Sequence, residues 1–136
     1  MAKQLLGPYT RVTINGTDLS DHCTSVTVSD DSEEQDVTGF SQTYREMADS
    51  LKTASVETTF VQDYASSSVD SVIYAIYSGT TNDTIKVTPD NRGTVVYTMI
   101  CRPNSYSPVT GGPGDVSTIT TTWTARGTVG LSRGTA

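Results

Sequence analysis

Cations, cysteine and histidine are all scarce in this chain of 136 residues. Its nine lysines and arginines are outnumbered by fifteen acids, and the net charge of −6 argues against a protein that clamps nucleic acid through its phosphates. No apolar run approaches the ~18 residues of a membrane span, and the first residues lack the apolar segment of a secretory signal. We therefore expect a soluble chain with no membrane contact, whose two cysteines, Cys23 and Cys101, do not form a disulfide.

Hydroxyl groups, in contrast, are abundant. Threonine occurs 24 times and serine 16 times, whereas charged residues make up 18% of the sequence, below the ~25% that is usual in soluble domains. A surface of hydroxyls instead of charges suits extensive contact with other protein chains, as in a stalk or a fibre. The length predicts a single domain, residues 1–136, with one hydrophobic core.

Three segments alternate between apolar and hydroxyl-bearing residues, which is the period of a β-strand with two different faces. The segment 116–125 places Ile119 and Trp123 on one face and four threonines on the other. The other two segments begin near Cys23 and Ala54. Their polar faces consist of Ser25, Thr27, Ser29, Ser55, Glu57, Thr59, Thr118, Thr120, Thr122 and Thr124.

The remaining periodic segments predict one helix and further strands. Valine and isoleucine recur at helical spacing from Val69 to Ile76, with serines before them as N-caps and Gly79 after them as a stop. Short strand patterns cover residues 11–14, 84–89 and 94–102. We therefore predict a mainly-β protein, a β-sandwich or β-barrel with one packed α-helix, a long loop and extended termini.

Three parts of the chain show no convincing period. Residues 30–53 have five acids among their first seven positions, together with larger apolar side chains that a disordered linker would tend to lack. We predict a long protruding loop here, which orders against a neighbouring subunit through Phe40, Tyr44, Met47 and Leu51. Residues 1–10 and 127–136 are predicted to form an N-terminal and a C-terminal arm.

No combination of residues predicts an enzyme. His22 lies next to Cys23, but neighbouring residues on a strand point to opposite faces, so the two cannot readily act as base and nucleophile. A lone histidine completes a catalytic triad only where a serine and an acid converge on it, and no Gly-x-Ser-x-Gly motif is present. We predict no catalytic residues.

Two further stretches lack essential parts of the ligand sites that they partly resemble. The acidic run from Asp30 to Asp36 lacks the glycine and the closing glutamate of an EF-hand loop, which favours a solvated acidic turn over a calcium site. The sequence Gly-Gly-Pro-Gly-Asp at 111–115 is not followed by the Gly-Lys-Ser/Thr of a phosphate-binding loop. We predict no metal site and no cofactor.

The order of these features resembles one protein family. A small acidic domain, rich in serine and threonine, has a long segment between its first main strands, a helix at SSVDSVIYAIYSGT and a closing strand at STITTTWTARG. Over residues 11–130 this layout resembles the major tail tube protein of long-tailed, non-contractile bacteriophages.

The resemblance implies a structural virion protein. In that family six subunits close into a ring lined by a continuous β-barrel, and the rings stack into the tube through which DNA is ejected into the host. It implies a hexameric homo-oligomer in the virion tail, synthesised in the host cytoplasm, with a tape measure protein, a tail-tip protein and a tail terminator as partners. The ten polar-face residues would line the channel, where DNA passes without specific binding because no cation holds its phosphates.

Other interpretations remain open. The polar faces also suit the solvated outside of an ordinary β-sandwich, although such a surface usually carries more lysine and glutamate. Another virion ring protein, such as a tail terminator or a head-decoration protein, is an alternative to a tube subunit. An immunoglobulin-like binding module would be expected to cluster its exposed aromatics around a groove, whereas the seven tyrosines are scattered along the sequence.

Overall fold

The chain folds as a mainly-β protein with one helix, as its periodicity predicts. The computed structural model describes residues 6–80, 82–90, 92–126 and 130–135. A short 3₁₀ helix covers Ser20–His22. In chain order the elements of the described residues are β1 Arg11–Ile14, β2 Thr17–Asp18, β3 Cys23–Asp36, β4 Met47–Val61, α1 Val69–Ser78, β5 Asp83–Thr88, β6 Val95–Pro103, β7 Thr118–Ala125 and β8 Leu131–Thr135.

The strands of the described residues form one antiparallel sheet. Its order is β2-β1-β5-β6-β7-β4-β3, and β8 pairs with the part of β6 that β7 leaves open. The sheet curls around its inner face, so that β3, at one end, lies across a groove from β5, β6 and β8. Among the described residues β3 pairs with β4 alone, which leaves one edge of this long strand unpaired.

The inner face of the curled sheet and one side of α1 bury a single core. The alternation predicted for β7 is confirmed, because Ile119 and Trp123 are fully buried whereas Thr120 is exposed. The predicted helix is confirmed as well, and it directs Val69 and Ile73 into the core beside the sheet. Burial of these apolar side chains supplies the main stabilising term of the fold.

The guanidinium of Arg102, on the sheet, caps the C-terminal end of α1. Arg102 of β6 directs Nη2 at the carbonyl oxygens of Ile76 and Tyr77, both at 3.4 Å, and at that of Gly79. The last carbonyls of a helix lack partners within the helix and carry partial negative charge, so a guanidinium stabilises them by hydrogen bonding and by charge.

The structure corrects the prediction of a loop over residues 30–53. Residues 30–36 continue β3 and residues 47–53 begin β4, and they are paired from Asp30 with Ala54 to Asp36 with Met47. Every residue from 30 to 53 is nevertheless exposed, so this segment is a two-stranded ribbon, which we call the hairpin arm. Sequence alternation marks a strand only where one face is buried, and the hairpin arm buries neither.

The structure also corrects the prediction of a C-terminal arm. Residues 131–135 form β8, antiparallel to residues 95–99 of β6, because β7 pairs with β6 at residues 101–103 and leaves the rest of that edge open. Leu131 packs against the core. Residues 127–129 and 136 of this predicted arm, and residues 1–5 of the N-terminal one, lie outside the described residues.

A buried hydrogen bond joins the two central strands. The indole Nε1 of Trp123 donates to Thr58 Oγ1 at 2.9 Å, and both residues are fully buried. Thr121 is equally buried, but its hydroxyl has no hydrogen-bond partner among the described residues. Of these two buried threonines, Thr58 satisfies a buried donor and Thr121 does not.

Replacing Thr58 with valine should lower the free energy of unfolding by about 1–3 kcal/mol, because it leaves the buried indole donor unsatisfied. Thr121→Val is the matched control, and it should be neutral or stabilising because it removes a hydroxyl that lacks a described partner. Denaturant unfolding followed by the fluorescence of the single tryptophan measures both variants. Equal losses in the two would contradict this role of the Thr58 hydroxyl.

Candidate functional site

The three polar strand faces predicted from the sequence lie side by side on the outer face of the sheet. β4 lies between β3 and β7, and cross-strand pairing aligns the predicted residues in rows. Thr118, the first residue of β7, is not part of these rows because it pairs with the apolar Val61. The other nine form the hydroxyl patch, whose rows are Ser25, Thr59 and Thr120; Thr27, Glu57 and Thr122; and Ser29, Ser55 and Thr124.

The hydroxyl patch is polar, accessible and almost without charge. None of its residues is buried, and Glu57 carries its one charged group. The hydroxyls of Thr59 and Thr120 lie 3.2 Å apart, and Thr124 Oγ1 donates to Asn104 Oδ1 at 2.9 Å. A surface of this kind both donates hydrogen bonds to water and accepts them, and it presents no cation to a phosphate.

The cation nearest to the hydroxyl patch in the sheet register is engaged elsewhere. Arg102 lies opposite Thr124 on the neighbouring strand. Its guanidinium Nη2 donates to the carbonyls at the end of α1, as described above. The charge of Arg102 therefore stabilises the helix and is not presented on the patch.

Sequence reasoning missed a second outward face, on β1, β5 and β6. Pairing aligns Thr13, Lys86 and Thr98 in one row and Arg11 with Thr88 in the next. These strands are short, and lysine or arginine occupies some of their outward positions, so no run of threonines marks this face in the sequence. These two cations distinguish the second outward face from the hydroxyl patch.

The hairpin arm concentrates the negative charge of the chain. Residues 30–53 contain seven acids and two cations, which gives −5 (2 − 7) of the total −6. Glu34 and Asp49 are directly opposed across the ribbon, an arrangement of like charges that is destabilising. An isolated two-stranded ribbon is marginally stable in water, so this arm is suited to stabilisation by a partner.

The four apolar residues predicted to contact a neighbour all lie on the hairpin arm and are exposed. Phe40 is fully accessible, Tyr44 is 86% and Leu51 79% exposed, and Met47 is 48% exposed. Large apolar side chains left together on one projecting element are typical of an interaction site. The neighbour itself stays a prediction.

His22 and Cys23 have separate partners in the structure. His22 Nδ1 lies 2.9 Å from Asp21 Oδ1, and its Nε2 lies 3.1 Å from Asp63 Oδ2. Cys23 Sγ donates to the carbonyl oxygen of Ser25, and burial raises the pKa of the Cys23 thiol. A raised pKa opposes thiolate formation, so this arrangement lacks the activated sulfur of a nucleophilic cysteine.

The structural role of His22 is to join the start of β3 to the approach of α1. Asp63 accepts hydrogen bonds from the Ala65 N–H at 3.0 Å and from the Ser68 hydroxyl at 2.7 Å, which lower the pKa of Asp63. His22 contacts the same carboxylate and holds it in place.

Three of the seven tyrosines that are scattered along the sequence come together in the structure, which corrects the description for those three. The rings of Tyr74 and Tyr77, on α1, lie 5.5 and 5.8 Å from the ring of Tyr106. The Tyr106 hydroxyl donates to Asp70 Oδ1 at 2.5 Å, and desolvation together with this carboxylate raises the pKa of Tyr106 to about 12. These four residues form a tyrosine cluster, which the sequence hides because the segment after β6 must first fold back onto the helix.

Within the described part of the chain, no helix has the length and apolar character needed to cross a membrane. The same residues contain no group of three or more histidine, cysteine, aspartate or glutamate side chains placed to hold a metal ion.

Comparison with solved structures relates this fold to virion and tail chains. No protein-family model and no curated protein sequence matches the chain. A chain of the "Virion of native gene transfer agent (GTA) particle" is 15% identical, with a TM-score of 0.73 over 91% of this chain and 95% of that one. A chain of the "Tail of empty GTA particle computed with helical refinement, C6 symmetry" is 18% identical, with a TM-score of 0.67 over 82% and 81%. At these identities the likeness establishes a shared fold.

Proposed function

We propose that this chain is a structural protein of a phage-type virion tail, whose copies close into hexameric rings and stack into a tube for DNA ejection. The shared fold with a GTA virion chain and with a chain of a C6-symmetric GTA tail supports this class of protein and the ring number. The observation that carries the tube function is the hydroxyl patch, an ordered polar surface without cations. Catalysis has no part in this function.

The hydroxyl patch and Thr118 line the channel in this proposal. Duplex DNA carries a charge about every 1.7 Å along its axis, and each lysine or arginine contact adds affinity that would slow its transit. Hydroxyls remain neutral and hydrated, and the Glu57 carboxylate adds mild repulsion. The second outward face carries Arg11 and Lys86 and is therefore assigned to a surface away from the DNA.

The unpaired edge of β3 supports closure between copies. The first half of this edge strand, residues 23–29, contains no charged side chain. Proteins usually protect an exposed edge with charges or proline, because its open N–H and C=O groups pair readily with another strand. Pairing of this edge with a neighbouring copy would satisfy those groups and continue the hydroxyl patch around a ring.

A second candidate function, a binding module, is favoured by the tyrosine cluster. Tyr74 and Tyr77 are 54% and 43% exposed beside Tyr106, and exposed aromatics grouped in this way are frequent in recognition sites. This candidate accounts for the cluster but leaves the hydroxyl patch and the hairpin arm without a role.

Negative-stain microscopy of the purified protein at rising concentration, with sedimentation alongside, separates these functions. Hollow tubes or stacked rings are expected for the tube subunit. Single rings that do not stack at any concentration would instead indicate a tail terminator. A monomer at every concentration would contradict self-assembly and favour the binding module.

Lysine at the channel surface should impair DNA passage. The double variant Thr120→Lys, Thr122→Lys should assemble normally, since neither side chain is buried in the core, yet lower genome delivery per particle by roughly tenfold or more. Thr84→Lys with Ser132→Lys is the matched control, because it adds the same charge to the second outward face. Delivery counted per assembled particle measures both, and equal effects would remove the hydroxyl patch from the channel.

Shortening the hairpin arm should abolish polymerisation without unfolding the sheet. Gln35 and Ala48 are directly paired, so Asn-Gly in place of residues 36–47 can join them as a two-residue turn. Every deleted residue is exposed, so the melting temperature and the circular dichroism of the body should be retained. Sedimentation reports assembly, and shortening the equally exposed loop 110–115 is the control. Normal polymers from the arm-shortened variant would show that the arm is dispensable.

A further inference from the structure

An apolar groove lies where the curled sheet does not close on itself. It has a volume of about 360 Å³, which is within the range of ligand sites. One wall is formed by Val26 and Val28 of β3, and the other includes Val87, Tyr97 and Leu131. Apart from Val87 these side chains are only half-buried, although the two β3 valines and Leu131 pack against the core.

The tip of the hairpin arm presents aromatic side chains in a preordered loop. Phe40 is fully exposed and Tyr44 almost so. Hydrogen bonds within the tip hold its conformation: the Val37 N–H donates to the Glu46 carbonyl at 2.9 Å, and Gln42 Nε2 donates to Glu46 Oε2 at 2.7 Å. These bonds lower the conformational entropy that the two aromatic side chains lose on docking, although the ribbon that carries the tip is itself marginally stable.

The tip cannot fill the groove of its own chain. Asp30, at the base of the hairpin arm, is one of the residues that line the groove. The paired ribbon from Asp30 to Asp36 carries the tip roughly 20 Å further away, at about 3.3 Å per residue. Returning Phe40 to the groove would require breaking that ladder, so Phe40 can enter such a groove only on a different copy.

On the β8 wall, which lies opposite Asp30 and the β3 valines, charge favours the same pairing of surfaces. The hairpin arm carries −5, whereas the β8 side of the groove presents the exposed Arg133. Arg133 pairs with Tyr97 across β6 and β8, so both lie on the face of the sheet that opens into the groove. An acidic arm laid along β8 would bring its carboxylates towards this guanidinium.

We infer that the arm tip of one copy docks Phe40 and Tyr44 in the apolar groove of the next copy. The inference rests on the proposed self-assembly and identifies the surface that receives the arm. In the proposed tube the contact is made head-to-tail, so that each docked copy leaves its own arm available for another copy. Arm and groove then produce a repeating assembly, whereas two copies that exchanged arms reciprocally would close a dimer.

Disulfide cross-linking between two separately purified full-length variants tests this contact. Phe40→Cys is mixed with Leu131→Cys, oxidised, and analysed on non-reducing gels. Ser132→Cys is the matched control, because Ser132 is adjacent on β8 but on the opposite face, paired with Thr98. Val28→Cys probes the opposite wall of the groove and keeps the test decisive if Leu131→Cys misfolds. Cys23 and Cys101 are present in every sample, so their background is the same throughout.

The expected result is a covalent dimer at least severalfold more abundant with Leu131→Cys or Val28→Cys than with Ser132→Cys. Equal yields would overturn the inference. Microscopy of the unmodified protein in parallel separates this inference from the tube function. Tubes without the specific cross-link contradict the groove contact alone. A specific cross-link without tubes supports the groove contact and contradicts the tube. If neither the specific cross-link nor tubes are observed, both the groove contact and the tube function are overturned.

Discussion

The register between β4 and β7 is the constraint on which both the core and the candidate site depend. It aligns Val56 with Trp123 and Thr58 with Thr121 on the inner face, and it aligns Glu57 with Thr122 on the outer face. Because side chains alternate with a period of two, a slip of one residue would exchange the two faces. The burial of Trp123 and its bond to Thr58 hold this register, so the interactions that stabilise the core also order the hydroxyl patch.

Burial fixes the strand register only as far as the core extends, and the hairpin arm begins where the core ends. Ala54 is the last buried residue of β4 towards the arm, and beyond it both faces of the ribbon are exposed. Backbone pairing continues without help from burial, across the like-charged pair of Glu34 and Asp49. The body of the protein is therefore stabilised by its own packing, whereas the arm is held by backbone pairing without a core of its own.

The sequence predicts those features that depend on burial of one face. Side chains alternate between core and solvent along β7, along the part of β4 from Ala54 to Val61, and around α1. The sequence therefore shows the period of each element, and the residues of the hydroxyl patch can be predicted from the strand periods. The hairpin arm and residues 132–134 of β8 show no such alternation, because their side chains are exposed and backbone pairing alone defines them. The tyrosine cluster and the groove depend on which distant segments meet once the sheet has curled, and no local pattern records this.

Three features that take part in the proposed assembly converge on β3. Its uncharged half has an edge unpaired among the described residues, Val26 and Val28 form one wall of the apolar groove, and its acidic half is one strand of the hairpin arm. Such a strand would promote uncontrolled association if nothing opposed it. The concentration of negative charge next to it supplies that opposition, because arms of separate copies repel one another. In the proposed assembly, association is favourable where a neighbour offers a cation and an apolar groove in the matching geometry.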